Sequence, residues 1–346
     1  MASNNTTEQS AFMFRDGYDI PVYGLANGKF YYVHIPAIVC IAVSLSCALA
    51  AITLSFRRKS YRTFFSKWSK SERLVVYLST FDALFSVSHL PDHLQIVITK
   101  DHVRPRELCT IYGFMLVVFF AAQMLIVNVV AIDAFVMMYF NKKIYFGKYD
   151  SGLLVLTFGV PFVGAVVAAV YGQFGPMGSA CFYDAVKGNV ANLSFTTIPL
   201  PIVMTVNITL YILTWFKIRN QVNNLKNTLG PLTRTTNAPC KAARNMSMFV
   251  LTAFVQWWSV AVFGVWALVV NNPAQIPEIL HDIGVIFTNL GGIMNLIIYL
   301  KLKRTDLQRQ TNELRAASSN TTIKTLSTGS NQSKDSLSDC LTNMRA

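Results

Sequence analysis

Residues 108–140 read LCTIYGFMLVVFFAAQMLIVNVVAIDAFVMMYF, and this stretch decides the fold. It holds no Lys, Arg, His or Glu and a single acid, Asp133. A helix needs roughly 20 apolar residues to cross a ~30 Å hydrocarbon core, so this one is long enough to do so. Six further stretches have the same character, at 33–55, 74–98, 152–172, 195–216, 246–270 and 279–300. Composition agrees: 53% of the 346 residues are hydrophobic and only 14% charged, with a mean hydropathy of +0.40. Soluble domains carry about 25% charged residues. A soluble enzyme with one water-facing surface is thereby excluded. The reading is an all-α bundle of seven transmembrane helices over residues 33–304, between an outer tail (1–32) and a disordered inner tail (305–346).

Cationic residues set the expected orientation, because Lys and Arg accumulate in cytoplasmic connectors. With the N-terminus outside, 24 of the 30 fall on the inner side, in 56–73, 141–150, 217–245 and 301–346. The other six are Arg15, Lys29, Lys100, Arg104, Arg106 and Lys187. The net charge of +13 therefore describes a cytoplasmic face meeting anionic lipid, not a nucleic-acid footprint. The first 30 residues lack a charged segment followed by an apolar one, so the first span is expected to act as its own insertion signal. Sequons at Asn4, Asn5 and Asn192 fall in outer segments where glycosylation is possible.

Of six cysteines, Cys40 and Cys47 lie in the first span, and Cys240 and Cys340 lie on the reducing side. Cys109 and Cys181 alone face the oxidising compartment. A disulfide between them would pin the second outer loop to the third helix.

Asp133 follows Cys109 by 24 residues, or ~36 Å at 1.5 Å per residue, so the pair brackets one bilayer crossing. Asp82 lies mid-way along the second span, and the seventh runs Asn289-Leu290-Gly291-Gly292, then Asn295 and Tyr299. Polar groups at membrane depth are expensive and turn inward to partners. Asp82 and Asn295 could meet through water in a hub that rearranges as helices shift, with Asp133 and Tyr299 part of the same switch, or they could only aid packing.

Seven spans, two clamp cysteines and these placements resemble the G-protein-coupled receptor superfamily over residues ~30–305. The rhodopsin-like D-R-Y stands here as Asp133-Ala134-Phe135, and the N-P-x-x-Y motif as Asn295-Leu296-Ile297-Ile298-Tyr299. Gly159-Val160-Pro161, His89, Asp92-His93 and the seventh span look more like the cyclic-AMP-receptor-like and secretin-like side. The resemblance implies an extracellular ligand, a heterotrimeric G protein inside, and a plasma-membrane location.

Ligand-pocket candidates are the polar residues in the outer halves of the spans. They are His89, Asp92, His93 and Gln95 on the second, Gln123 on the third, Gln256, Trp257 and Trp258 on the sixth, and His281 and Asp282 on the seventh. His89, Asp92 and His93 share one helical face. They could hold a metal or answer to pH, but the favoured reading is that they meet water at headgroup level. No dedicated metal site or cofactor is expected. The G-protein face is assigned to Lys142, Lys143, Lys217, Arg219, Lys241 and Arg244. Serines and threonines of the tail, from Ser318 to Ser338, offer phosphate acceptors for arrestin-like or kinase partners.

Other classes fare worse. The chain has no H-E-x-x-H, Gly-rich phosphate loop or G-x-S-x-G, so an enzyme is not expected. Residues 279–300 contain no lysine for a retinal Schiff base. A transporter or ion or proton pathway remains the alternative, although no internal repeat supports it.

Overall fold

In a computed structural model, the protein is described over residues 14–142, 144–229, 234–270 and 278–323. Eight helices carry the fold: α1 (Phe30–Arg58), α2 (Lys70–Thr99), α3 (Arg106–Phe140), α4 (Lys148–Val170), α5 (Asn189–Gln221, continuing to Leu229), α6 (Arg234–Val270), α7 (Glu278–Thr288) and α8 (Gly291–Ile323). Six are long and apolar enough to cross a membrane, and α7 with α8 make a seventh span bent by 40°. A two-stranded antiparallel hairpin, β1 (Phe174–Pro176) and β2 (Cys181–Tyr183), lies between α4 and α5, with Gly175 opposite Phe182.

Helix α3 is the axle. It packs against α2, α4, α5, α6 and both strands, while α1 packs on α2 and α8. Burial divides the helices accordingly: the most apolar window of α3 is 67% buried, against 22% in α4. Val163, Val167 and Val170 of α4 stand exposed on the other face. Such a surface is stable only against lipid, where apolar side chains lose nothing by being uncovered.

Small residues set the close contacts. Along α1 the buried stripe is Ala37, Ile41, Ser44, Ala48, Ala51 and Ser55, at spacings of three and four, which lets neighbouring backbones approach. The glycine pair of α8 completes the fit. A Cβ at Gly292 would strike the Ser44 carbonyl, and one at Gly291 would strike the Asp82 carboxylate. The Gly292 N–H donates to Ser44 Oγ at 2.9 Å.

Prolines shape α4 and α5. Each has a π turn, at Val155–Gly159 and Leu193–Thr197, just before Pro161 or Pro199. Proline has no N–H to give the preceding turn, and the helix widens there. At its start α2 carries a capping box, Ser69 with Glu72.

Three boundaries differ from those read in the sequence. Helix α5 begins at Asn189 rather than 195, so Asn192 lies inside a helix and lines a cavity instead of standing in a loop. Helix α8 runs on to Ile323, past residue 305 where a disordered tail was expected, because no Gly or Pro interrupts the chain between Gly292 and Gly329. The N-terminal segment carries a capped turn at Gly17–Asp19 rather than running as a plain tail to the first span.

Candidate functional site

Four polar sites lie at different levels of the bundle. The one beside the N-terminal segment is a cap. Asp16 closes a turn at Gly17–Asp19 and accepts from Arg106 Nη1 at 2.8 Å. Asp184 accepts from the Gly17 N–H at 3.0 Å and from the N–H groups of Val186 and Lys187 at 2.9 Å. Tyr18 lies under Arg106 (4.4 Å) and donates to the Val103 carbonyl. Burial alone would raise the Asp16 pKa, but the Arg106 hydrogen bond and charge outweigh it and hold the carboxyl below its ordinary value. Burial pushes the Tyr18 phenol up to about 12.

Beneath the cap, Cys109 and Cys181 form the disulfide that the sequence implies, across 72 residues. Gly113 makes room for it: a Cβ there would lie 2.6 Å from the Phe182 carbonyl. Asp92 accepts from the Cys181 N–H at 2.9 Å, so this carboxylate holds the hairpin.

Under the hairpin lies a cavity of about 450 Å³ between α2, α3, α5, α6 and α7. Phe85, Phe120 and Trp257 form apolar wall, and His89, His93 and Asn289 a polar one. Trp257 meets Phe120 and Phe85 edge-on, at 4.7 and 6.0 Å between centroids. The histidines do not sit in water at headgroup level. His89 is 9% exposed and His93 1%, because α1 packs along α2 here and Asn289 closes on His89 from the α7–α8 bend. They belong to a chain of three imidazoles joining α1, α2 and the α7–α8 bend. Asn289 Nδ2 donates to the Val285 carbonyl at 2.7 Å, which turns its Oδ1 toward His89 Nδ1 at 3.2 Å. His89 Nδ1 is then the donor, and neutral rings follow in order. His93 Nε2 donates to His89 Nε2 at 3.0 Å, and His34 Nδ1 donates to His93 Nδ1 at 2.8 Å. These tautomers follow from satisfying the network.

Deeper lies the hub. Asn295 Nδ2 donates directly to Asp82, with no water between them. Gln256 Nε2 reaches Asp82 Oδ1 (3.4 Å), Gln123 Oε1 (3.3 Å) and the Thr288 carbonyl (3.1 Å). Gln123 and Gln256 therefore belong to this hub rather than to the cavity, because both point to the bundle centre. Three helices and the broken span meet around one buried carboxylate.

The innermost site stands apart, so Asp133 is not part of the hub. Its Oδ2 lies 3.0 Å from Lys70 Nζ, and its Oδ1 accepts from the Ile144 N–H at 3.1 Å. One turn further along α2, Arg73 pairs with Asp150 at 2.7 and 3.0 Å, and Tyr77 also donates to Asp150. Tyr299, in the third turn of α8, donates to the Leu54 carbonyl of α1 at 3.0 Å and ties those helices together.

The remaining sequence candidates scatter. Trp258 packs on Phe287 (5.5 Å), away from the cavity. Asp282 faces Tyr23, and Gln95 donates to the Arg104 carbonyl at 2.6 Å. His281 lies on α7, but its side chain lies outside the described residues, as do those of Lys241 and Arg244 and the whole of Lys143, Asn4 and Asn5. Lys142 and Arg219 are exposed, and Lys217 lies over the Tyr139 ring at 5.2 Å. Tail residues beyond Ile323 also lie outside the described residues. Sequence reading missed His34, Asn289, Lys70, Arg73, Asp150, Asp16 and Asp184. Lys70 and Arg73 were counted only as inner-side charge.

No family model and no curated protein matches the chain. Its fold is nevertheless shared with solved structures. One is squid rhodopsin, which superposes with a TM-score of 0.62 over 79% of this chain and 77% of that one, at 15% identity. The likeness is one of fold, a bundle of seven spans.

Proposed function

We propose that this chain is a G-protein-coupled receptor of the plasma membrane, with its N-terminus outside and its tail in the cytoplasm. It senses an extracellular ligand and activates a heterotrimeric G protein. One observation carries the reading: a roofed outer cavity and an inner ion-pair site are joined, through the same helices, by a buried hub at Asp82. A ligand that changes the spacing of α5, α6 and α7 must rearrange Gln256 and the Asn289 bend, which flank that hub. It shifts the inner ends only as far as its affinities for the two arrangements differ.

The inner partner would meet Lys142, Lys143, Lys217, Arg219, Lys241 and Arg244, and lipid headgroups would meet the same basic face. Phosphorylated tail serines would recruit arrestin-like partners. Asp133-Ala134-Phe135 lacks the rhodopsin-like arginine, and the G-V-P segment of α4 supports placing the chain nearer the cyclic-AMP-receptor-like and secretin-like side.

The test is guanine-nucleotide exchange on a panel of Gα subunits in membranes expressing the chain. Exchange above empty membranes supports the receptor. Ion or solute flux that is indifferent to guanine nucleotide, with no exchange, supports the transport alternative instead.

A further inference from the structure

We propose that the outer cavity takes an uncharged, mainly apolar small molecule bearing at least one hydrogen-bonding oxygen, held by Thr196 of α5 and Ser259 of α6. The inference deepens the receptor reading and rests on it for its biological role, though not for the binding itself.

The two hydroxyls carry the case. Thr196 is 6% exposed and Ser259 fully buried, both line the cavity, and neither Oγ has a hydrogen-bond partner among the described residues. A buried hydroxyl left unmatched costs free energy, and native structures rarely leave one without a reason. Thr196 lies in the π turn that precedes Pro199, and such turns commonly mark functional positions. Ser259 lies two residues beyond Trp257, which forms the cavity wall.

The other polar atoms of the wall narrow the ligand. Both ring nitrogens of His89 and of His93 are used within the imidazole chain. Neutral as they stand, the rings offer a ligand a polarisable surface but no free donor or acceptor. No Asp, Glu, Lys or Arg lines the cavity among the described residues. Asp92 gives Oδ2 to the Cys181 N–H, and its Oδ1 has no partner among the described residues, but Asp92 does not line the cavity. The outer cations Arg106 and Lys187 pair with Asp16 above the hairpin. An ammonium, carboxylate or phosphate would enter an apolar wall without a counter-charge, which costs far more than burying a neutral group. An alcohol, ketone or amide oxygen would satisfy a wall hydroxyl at no such cost.

The position also suits a signal. Helices α5 and α6 touch beside these hydroxyls, where a Cβ on Gly264 would lie 3.0 Å from Thr197 Cγ2. A molecule bridging Thr196 and Ser259 sets the spacing of the two helices that run to the inner face.

The experiment uses the full chain in lipid nanodiscs and probe sets sharing one apolar frame. Farnesol is compared with farnesylamine and farnesoic acid, and pregnenolone with its sulfate. Binding is read by the thermal midpoint and by tryptophan fluorescence. The expected result is that uncharged members raise the midpoint and charged counterparts do not. Thr196→Val and Ser259→Ala should each weaken binding about tenfold, in line with the loss of one buried hydrogen bond. Neither should lower the ligand-free midpoint, because neither hydroxyl has a structural partner to lose. Tighter binding of charged members, no binding by any uncharged member, or indifference to both variants would overturn the proposal. So would a lowered ligand-free midpoint in Ser259→Ala. Binding that follows the expected pattern without nucleotide exchange would overturn the receptor reading and leave the site standing.

Discussion

Lys70 Nζ lies 3.0 Å from Asp133 Oδ2 and also donates to the Ile144 carbonyl at 3.0 Å, joining the base of α2 to the chain that leaves α3. The same ammonium sits 4.5 Å from the Phe146 ring centre. Asp133 is followed by Ala134 rather than by a cation, and a neighbouring helix supplies its partner. Lys70 is one-third exposed and Asp133 is buried, so the pair is worth more than a surface ion pair and less than a sealed one. Lys70→Met should destabilise the fold by about 1–2 kcal/mol. It should also raise basal nucleotide exchange by freeing the segment after α3. Thermal melting and exchange on the same preparation check both, and unchanged exchange with a lowered midpoint would mean the pair is only structural.

Gly291→Ala should be among the most damaging single-methyl changes in the protein. The new Cβ would strike Asp82 and come within 2.6 Å of Gln256 Nε2, forcing apart the hub. Overpacking of this kind costs ~1–3 kcal/mol. Gly284→Ala serves as the comparison, since a Cβ there meets nothing within 4 Å. Differential scanning fluorimetry should separate the two by several degrees, and equal midpoints would contradict the close approach of α8 to α2.

The hairpin roof depends on two ties of different chemistry. Removing the disulfide with Cys109→Ala and Cys181→Ala opens a loop of 72 residues and should cost roughly 2–5 kcal/mol. Asp92→Ala should leave the Cys181 N–H unmatched and cost about 1–3 kcal/mol. Hydrogen exchange at Cys181–Tyr183 should rise in each variant, and protection equal to wild type in Asp92→Ala would remove the carboxylate from this role.

The outer cap should resist mild acid. Asp16 has a folded pKa held below its ordinary value of 3.8, chiefly through Arg106 working against the raising effect of burial. A depressed carboxylate contributes stability that is complete above its unfolded value and is lost as pH falls through the folded one. Protection of the Tyr18 amide, which donates to Asp16 Oδ1, should therefore hold from pH 7 to pH 5. It should decline only below about pH 4. Asp16→Asn should flatten this dependence, and loss of protection between pH 6 and 5 would place its origin elsewhere.

How much of this was legible before the structure depends on the kind of signal. The spans were readable because apolar length is a local property, and the broken seventh span because Gly291 and Gly292 interrupt it. Asp82 and Asn295 were readable as partners because each is polar at membrane depth, where a partner is compulsory. The bonds from Gln256 to Asp82 and to Gln123 were not, since a helical pattern assigns a face but not a depth. Lys70 was hidden by its setting: among the seven inner-side cations of residues 56–73, nothing local separates a buried ion pair from a solvated charge. His34 was hidden for the opposite reason, standing alone in an apolar helix with its hydrogen-bond partner His93 59 residues away. Pro199 did carry a usable hint, because a proline near a helix start disturbs the turn before it, where Thr196 lies.

The central claim is that a signal made outside reaches a G protein inside. Guanine-nucleotide exchange on reconstituted full-length chain tests it most directly, beside a variant neutralised at Lys142, Lys143, Lys217, Arg219, Lys241 and Arg244. The receptor reading requires exchange on at least one Gα subunit, lost in that variant while its thermal midpoint is kept. No exchange on any subunit, from a folded chain already loaded with a cavity-binding probe, would contradict it.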